Sequence, residues 1–186
     1  MTKKPVAPAL PRLIVAITGA SGAIFGIRAL ERLREGTGIE THLIVSPSAL
    51  RTIEEETDRS AAQVRKLASV VHSYKDIGAS MSSGSFRTLG MLVAPCSIKT
   101  LSGIANSYDD NLVVRAADVC LKERRRVVLL LRETPLHLGH IELIERATRY
   151  GATVMPPVPD FRSNPKTIAD IVDQAVTRAL GEFSLA

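Results

Sequence analysis

The sequence predicts an α/β fold, a single parallel sheet wound doubly with helices on both faces. Three observations carry this. Short apolar, β-branched runs recur along the chain without polar alternation, as strands buried on both faces require. Amphipathic helical patterns lie between them. Glycine, serine or proline stands at most junctions, where tight turns and helix caps belong. The 186 residues, 45% hydrophobic, suffice for one domain over residues 12–186 after a loose, proline-containing tail over residues 1–11.

The first strand covers residues 13–17, and Thr18-Gly19-Ala20-Ser21-Gly22 turns into a helix over about 22–35. The start of such a helix attracts anions, because its free amides and its dipole point the same way. The glycine spacing is neither that of a dinucleotide site nor that of a P-loop, so the joint serves either phosphate binding or packing alone. A second strand ends at Ser46, which should cap a helix beginning at Pro47. That helix ends in Glu54-Glu55-Glu56, three carboxylates that oppose its dipole and need a reason to be there. A short helix over 60–68 and an edge strand over 70–74 follow.

Residues 76–89 are rich in Ser and Gly without a period, the composition of a surface connection or of a ligand-contacting loop. A buried strand over 90–97 places Ser97, Lys99 and Thr100 at its C-terminal end, where open α/β sheets bind ligands. Residues 109–125 form the clearest helix, with Asp109 and Asp110 at its start. Arg115 and Lys122 share one face of it, and Asp118 between them could make a surface salt-bridge row. The strand over 126–131 ends in Arg132-Glu133, opposite charges at the mouth of a buried strand, which are costly unless paired or used on a ligand. A helix over 141–150, a strand over 152–155 and an extended, proline-rich loop over 156–165 lead to a last helix capped by Thr167, on which Arg178 is the solitary basic residue.

Net charge is +5, but aromatic content is only 4%, with no tryptophan, no RNA-binding aromatic signature and no helix-turn-helix pattern. The composition therefore argues against nucleic acid and suits small phosphate ligands. No apolar run is long enough to span a bilayer. Two cysteines, Cys96 and Cys120, without a CxxC pair, predict a reducing, cytoplasmic setting. His137 and His140 lack a third ligand and read as structural, so no metal is expected.

Thr-Gly-Ala-Ser-Gly at 18–22, Ser83-Gly84-Ser85-Phe86, Ala94-Pro95-Cys96-Ser97, Asp110-Asn111-Leu112, Arg115-Ala116-Ala117-Asp118-Val119, Leu121-Lys122-Glu123-Arg124-Arg125, Arg132-Glu133-Thr134-Pro135 and Pro156-Pro157 stand in register over residues 12–180. With these motifs the chain resembles the flavin prenyltransferases, the UbiX/Pad-type flavoproteins. The resemblance implies a Rossmann-like, flavodoxin-like domain that joins a dimethylallyl group from dimethylallyl phosphate to reduced FMN. It implies that the prenylated FMN is supplied to a UbiD-type decarboxylase. It also implies no metal and a homo-oligomer, dodecameric or trimer-based, with sites between subunits.

Carried onto this sequence, the family's FMN contacts fall on Gly19, Ala20, Ser21, Ser46, Ser97, Ile98, Lys99, Thr100 and Arg132. Glu56, Arg115, Lys122, Arg132, Glu133 and Arg178 match positions around the dimethylallyl phosphate and the reacting centre, with Ser21, Glu56, Lys122 and Glu133 in the catalytic set. Cations fit that role, since an allylic phosphate leaves more readily when positive groups meet its developing charge. Two positions depart from the family. Arg162 stands where a tyrosine usually contacts the substrate phosphate, and a guanidinium is itself a strong phosphate binder. Ser80 stands where some members carry an aromatic ring. The alternatives are an FMN-binding subunit or carrier without transfer chemistry, and a flavin-dependent decarboxylase with an early histidine base, for which His42 and His72 sit in no convincing motif.

Overall fold

The computed structural model describes residues 10–36 and 38–185. Six strands form one sheet: β1 (Arg12–Ile17), β2 (Glu40–Val45), β3 (Val70–His72), β4 (Gly90–Cys96), β5 (Arg126–Leu131) and β6 (Ala152–Val154). All neighbours pair in parallel, in the order β3-β2-β1-β4-β5-β6. The doubly wound parallel sheet is as expected, and its order is the Rossmann one, with the winding reversing between β1 and β4.

Among the described residues seven helices cover the sheet: α1 (Ala23–Arg34), α2 (Pro47–Glu56), α3 (Ala61–Arg65), α4 (Ile98–Ala105), α5 (Leu112–Lys122), α6 (Leu138–Arg149) and α7 (Ile168–Gly181). Side chains alternate faces along each strand. Leu13, Val15 and Ile17 therefore pack with Leu30 of α1 and Val176 of α7, while Ile14 and Ala16 pack with Leu101 of α4 and Ala117 of α5. At Gly26 a Cβ would stand 2.2 Å from the Ala94 carbonyl oxygen, so only glycine lets α1 lie this close to β4.

Local rules place most helix starts. Ser46 accepts from the Ala49 amide with Pro47 in the first turn of α2, and Thr167 and Asp170 form a capping box on α7. Several boundaries differ from expectation, α3 and β3 being shorter than expected, and at three places a cap gives the reason. Helix α5 begins at Leu112, because Asn111 takes the cap and accepts from the Val113 and Val114 amides. Helix α6 begins at Leu138, three residues early, because His137 caps it through Gly139. The loop over 156–165 is not extended throughout: Phe161–Ser163 form a 3₁₀ turn, started where Asp160 accepts from the Arg162 amide. The tail expected over 1–11 lies outside the described residues up to residue 9, and the Pro11 carbonyl is already held by the Glu40 amide at 2.9 Å.

Candidate active site

Three strand ends meet at the switch point: β1 delivers residues 18–22, β4 delivers Ser97, and β5 delivers Arg132 and Glu133. Buried Thr18 locks the first two together, its Oγ1 donating to the Pro95 carbonyl at 2.7 Å and accepting from the Ser97 amide at 2.9 Å. The Arg132 amide donates to the Cys96 carbonyl at 3.0 Å, and its Nε reaches the Ser21 carbonyl at 3.3 Å. These ties shape a cleft of about 360 Å³, lined by Gly19, Ala20, Ser21, Ser97, Ile98, Arg132, Glu133 and Thr134. A Cβ on Gly19 would stand 2.1 Å from Ser48 Oγ, so the serine overhangs this turn. Ser97 caps α4, accepting from the Thr100 amide and donating to Thr100 Oγ1 at 3.1 Å. The first-turn amides at Ile98 and Lys99 have no partner within the helix, and the positive end of its dipole suits a phosphate.

The start of α1 is used differently from the sequence expectation. Its first amides, at Gly22 and Ala23, donate to Glu56 Oε2 at 2.7 and 3.2 Å. The anion on this helix dipole is thus the chain's own carboxylate. This answers the puzzle of the acidic end of α2: Glu56 opposes the dipole of its own helix and satisfies that of another. It also leaves α4 as the open helix start in the cleft.

The remaining predicted site residues lie elsewhere. Ser46 is buried and committed to its cap, with Ser48 Oγ 3.3 Å away. Arg115 is held by Asp109 at 2.9 Å, by Asp118 at 3.6 Å and by the Ser82 carbonyl at 3.3 Å. Lys122 pairs with Glu123 at 2.6 Å and not with Asp118, so the possible salt-bridge row from Arg115 stops at Asp118. It sits at the end of α5, by the start of β5, whereas Arg132 follows the other end of that strand; six residues of strand separate them by about 20 Å. Arg178 lines a third region, a groove of about 1020 Å³ between α7 and the loop after β6, with Asp160, Asp170 and Asp173. Arg162 is exposed on its 3₁₀ turn, and its neighbour Phe161 is 76% exposed. One chain therefore gathers Gly19, Ala20, Ser21, Ser97, Ile98 and Arg132 of the flavin-type set at the cleft and leaves the phosphate-type set dispersed.

Sequence reasoning missed Thr18, Ser48 and Arg125. Arg125 donates to the Gly84 and Phe86 carbonyls, both at 2.6 Å, and fastens the Ser/Gly loop to α5. Only Thr18 offered a signal, a hydroxyl ending an apolar strand run. Burial pushes both cysteine thiols up to about 12, so neither is a thiolate nucleophile near neutrality. His137 and His140 lie with ring centres 3.7 Å apart and ring planes tilted by 36°. Among the described residues no helix is long and apolar enough to cross a membrane.

The family model for flavoproteins matches residues 4–180. A flavin prenyltransferase UbiX of Thauera aromatica is 57% identical over 174 residues, 94% of this chain and 89% of that protein. The chain belongs to the flavin prenyltransferases. The UbiX of Escherichia coli K12 is 56% identical over 95% of this chain and 93% of its own length. Among solved structures, AnUbiX (PadA1) in complex with FMN and dimethylallyl pyrophosphate matches this prenyltransferase-family chain with TM-score 0.93 and 48% identity, covering 95% of this chain and 93% of that one. A dodecameric FMN-dependent UbiX-like decarboxylase from E. coli O157:H7 matches with TM-score 0.91 and 50% identity over 93% of this chain and 94% of that one.

Proposed function

We propose that this chain joins a dimethylallyl group to reduced FMN, with the flavin held in the cleft between the ends of β1, β4 and β5. The observation that carries the reading is that cleft, in a chain 48% identical to a protein crystallised with FMN and dimethylallyl pyrophosphate. The residues fit a phosphorylated flavin. The Gly19 turn admits no side chain, the first turn of α4 offers amides to a phosphate, and Arg132 shows no ion pair among the described residues.

Reduced FMN supplies the nucleophile for the allylic carbon. The chain's part is to bind, orient and move protons. Arg115, Lys122, Arg162 and Arg178 meet the charge that develops on the leaving phosphate. Glu133, whose Oε1 accepts from the Thr134 amide at 3.0 Å, holds a carboxylate at the cleft mouth as the proton acceptor for ring closure. Ser21 relays that proton, and Glu56 fixes the turn carrying Ser21 by bonding the two amides that follow it.

The dispersal of Lys122 and Arg178 from the cleft supports a site completed by further copies of the chain, in a homo-oligomer. The reading places one domain at 12–186 and delivers prenylated FMN to a UbiD-type decarboxylase. Two free, buried cysteines support a cytoplasmic setting. A decarboxylase using an early histidine finds no support in the geometry, because His42 and His72 bond one another at 2.9 Å on β2 and β3, outside the cleft.

The test is Glu133→Gln. The variant should retain FMN as the wild type does and form no prenylated flavin. Prenyl transfer by the variant at the wild-type rate would remove Glu133 from the chemistry.

A further inference from the structure

Asp109 should, by local rules, serve the start of α5. It does not. Asn111 holds the cap on the Val113 and Val114 amides, and Asp110 accepts from the Asn111 side chain at 2.5 Å. Asp109 instead turns its Oδ2 onto Arg115 Nη1 at 2.9 Å, six residues on. The Ser82 carbonyl takes Nη2 at 3.3 Å from the opposite chain segment, and Asp118 stands at 3.6 Å. The guanidinium is thus held on both terminal nitrogens by two elements, which fixes the plane in which its remaining donors point. Two polar atoms beside it, Asp109 Oδ1 and Ser82 Oγ, are buried without a hydrogen-bond partner. Such a cost is not explained by stability, since an uncapping Asp with half its carboxylate unsatisfied gains little for the fold.

We propose that Asp109 is a positioning residue for the donor phosphate, acting through Arg115. The proposal rests on the reading of Arg115 as a phosphate ligand. Two effects of Asp109 oppose each other. Its charge weakens the pull of Arg115 on an anion, while its hydrogen bond holds a long, rotamer-rich side chain in place. At a partly exposed site the charge is screened by solvent. The cost of immobilising such a side chain when the ligand arrives is not screened. The positioning effect therefore wins.

The test titrates dimethylallyl phosphate into the full chain loaded with oxidised FMN, which lacks the nucleophile that reduced FMN supplies, and measures the Kd calorimetrically. Asp109→Ala should weaken donor binding about fivefold, with FMN content unchanged. Asp109→Asn keeps an oxygen on Nη1 and drops the charge, so it should restore binding to wild-type strength or better. Asp109→Ser replaces Asp109→Ala if the latter does not retain FMN. Tighter or unchanged binding by Asp109→Ala, or equal weakening by Asp109→Asn, would overturn the proposal. A wild type that binds the donor but yields no prenylated flavin on reduction contradicts the transfer reading and leaves the role of Asp109 standing. A wild type that binds no donor contradicts both.

Discussion

At the residue scale, the cleft depends on a buried hydroxyl more than on any charged group. Thr18 Oγ1 serves the Pro95 carbonyl and the Ser97 amide together, so it sets the spacing between the turn after β1 and the start of α4. Thr18→Val keeps the shape and removes the oxygen, leaving a buried donor and a buried acceptor unpaired. The cost should be about 2 kcal/mol, which lowers the thermal midpoint by about 4–8 °C in a chain of this size. Thermal unfolding of the two proteins checks this, and equal midpoints would contradict it. Residues of this kind were half legible. Gly19, Ser97, Arg132 and Glu133 stood out because strand ends are where polar groups become conspicuous. The bond from Glu56 to Gly22 spans 34 residues and two helices, so nothing local announces it.

At the element scale, caps explain what could be read and what could not. Ser46 and Thr167 were legible because a cap and its amide lie within three residues of one another. Three residues in a row, Asp109, Asp110 and Asn111, all have cap chemistry, and Asp109 is drawn off to Arg115 one helical turn inside α5, a side chain that the Ser82 carbonyl, 33 residues away, also holds. The edge pairing of β3 with β2 carries a titrating contact. The Glu40 carboxylate accepts from His42 Nε2 at 2.7 Å, and His42 Nδ1 and His72 Nε2 share a hydrogen bond at 2.9 Å. Phe86 packs edge-on to His42, and Arg12 bonds Glu40 at 2.7 Å. Burial, and then the proximity of His42, lower the His72 pKa from its ordinary 6.5, with Asp76 opposing. The unfolded chain therefore takes up this proton first, and stability falls as pH drops through about 6.5. The bonds from His42 and Arg12 hold the Glu40 pKa below the carboxylate range, so its contribution is lost only at lower pH. Thermal midpoints should fall between about pH 7.5 and 5.5, and His72→Gln should flatten that slope. An unchanged slope in the variant would exclude His72 as the titrating group.

At the scale of the whole molecule, the sheet order decides where chemistry can occur. Reversal of the winding between β1 and β4 opens one cleft at the C-terminal edge, and the turn-borne residues predicted from the sequence converge there. Lys122 belongs by topology to the other edge, and Arg178 to the groove beside α7. A sequence read along one chain cannot show this separation, because motif order carries no distance. On the proposed reading, an assembly of copies would bring these cations to the flavin cleft, and Arg162 is exposed on its turn. The central claim is prenyl transfer to FMN by a chain carrying arginine at position 162. Its most direct test is anaerobic incubation of the wild type with reduced FMN and dimethylallyl phosphate, followed by mass analysis of the released flavin. The account predicts a flavin heavier by one prenyl unit. Unmodified FMN, tightly bound and recovered intact, would contradict it and leave a flavin carrier.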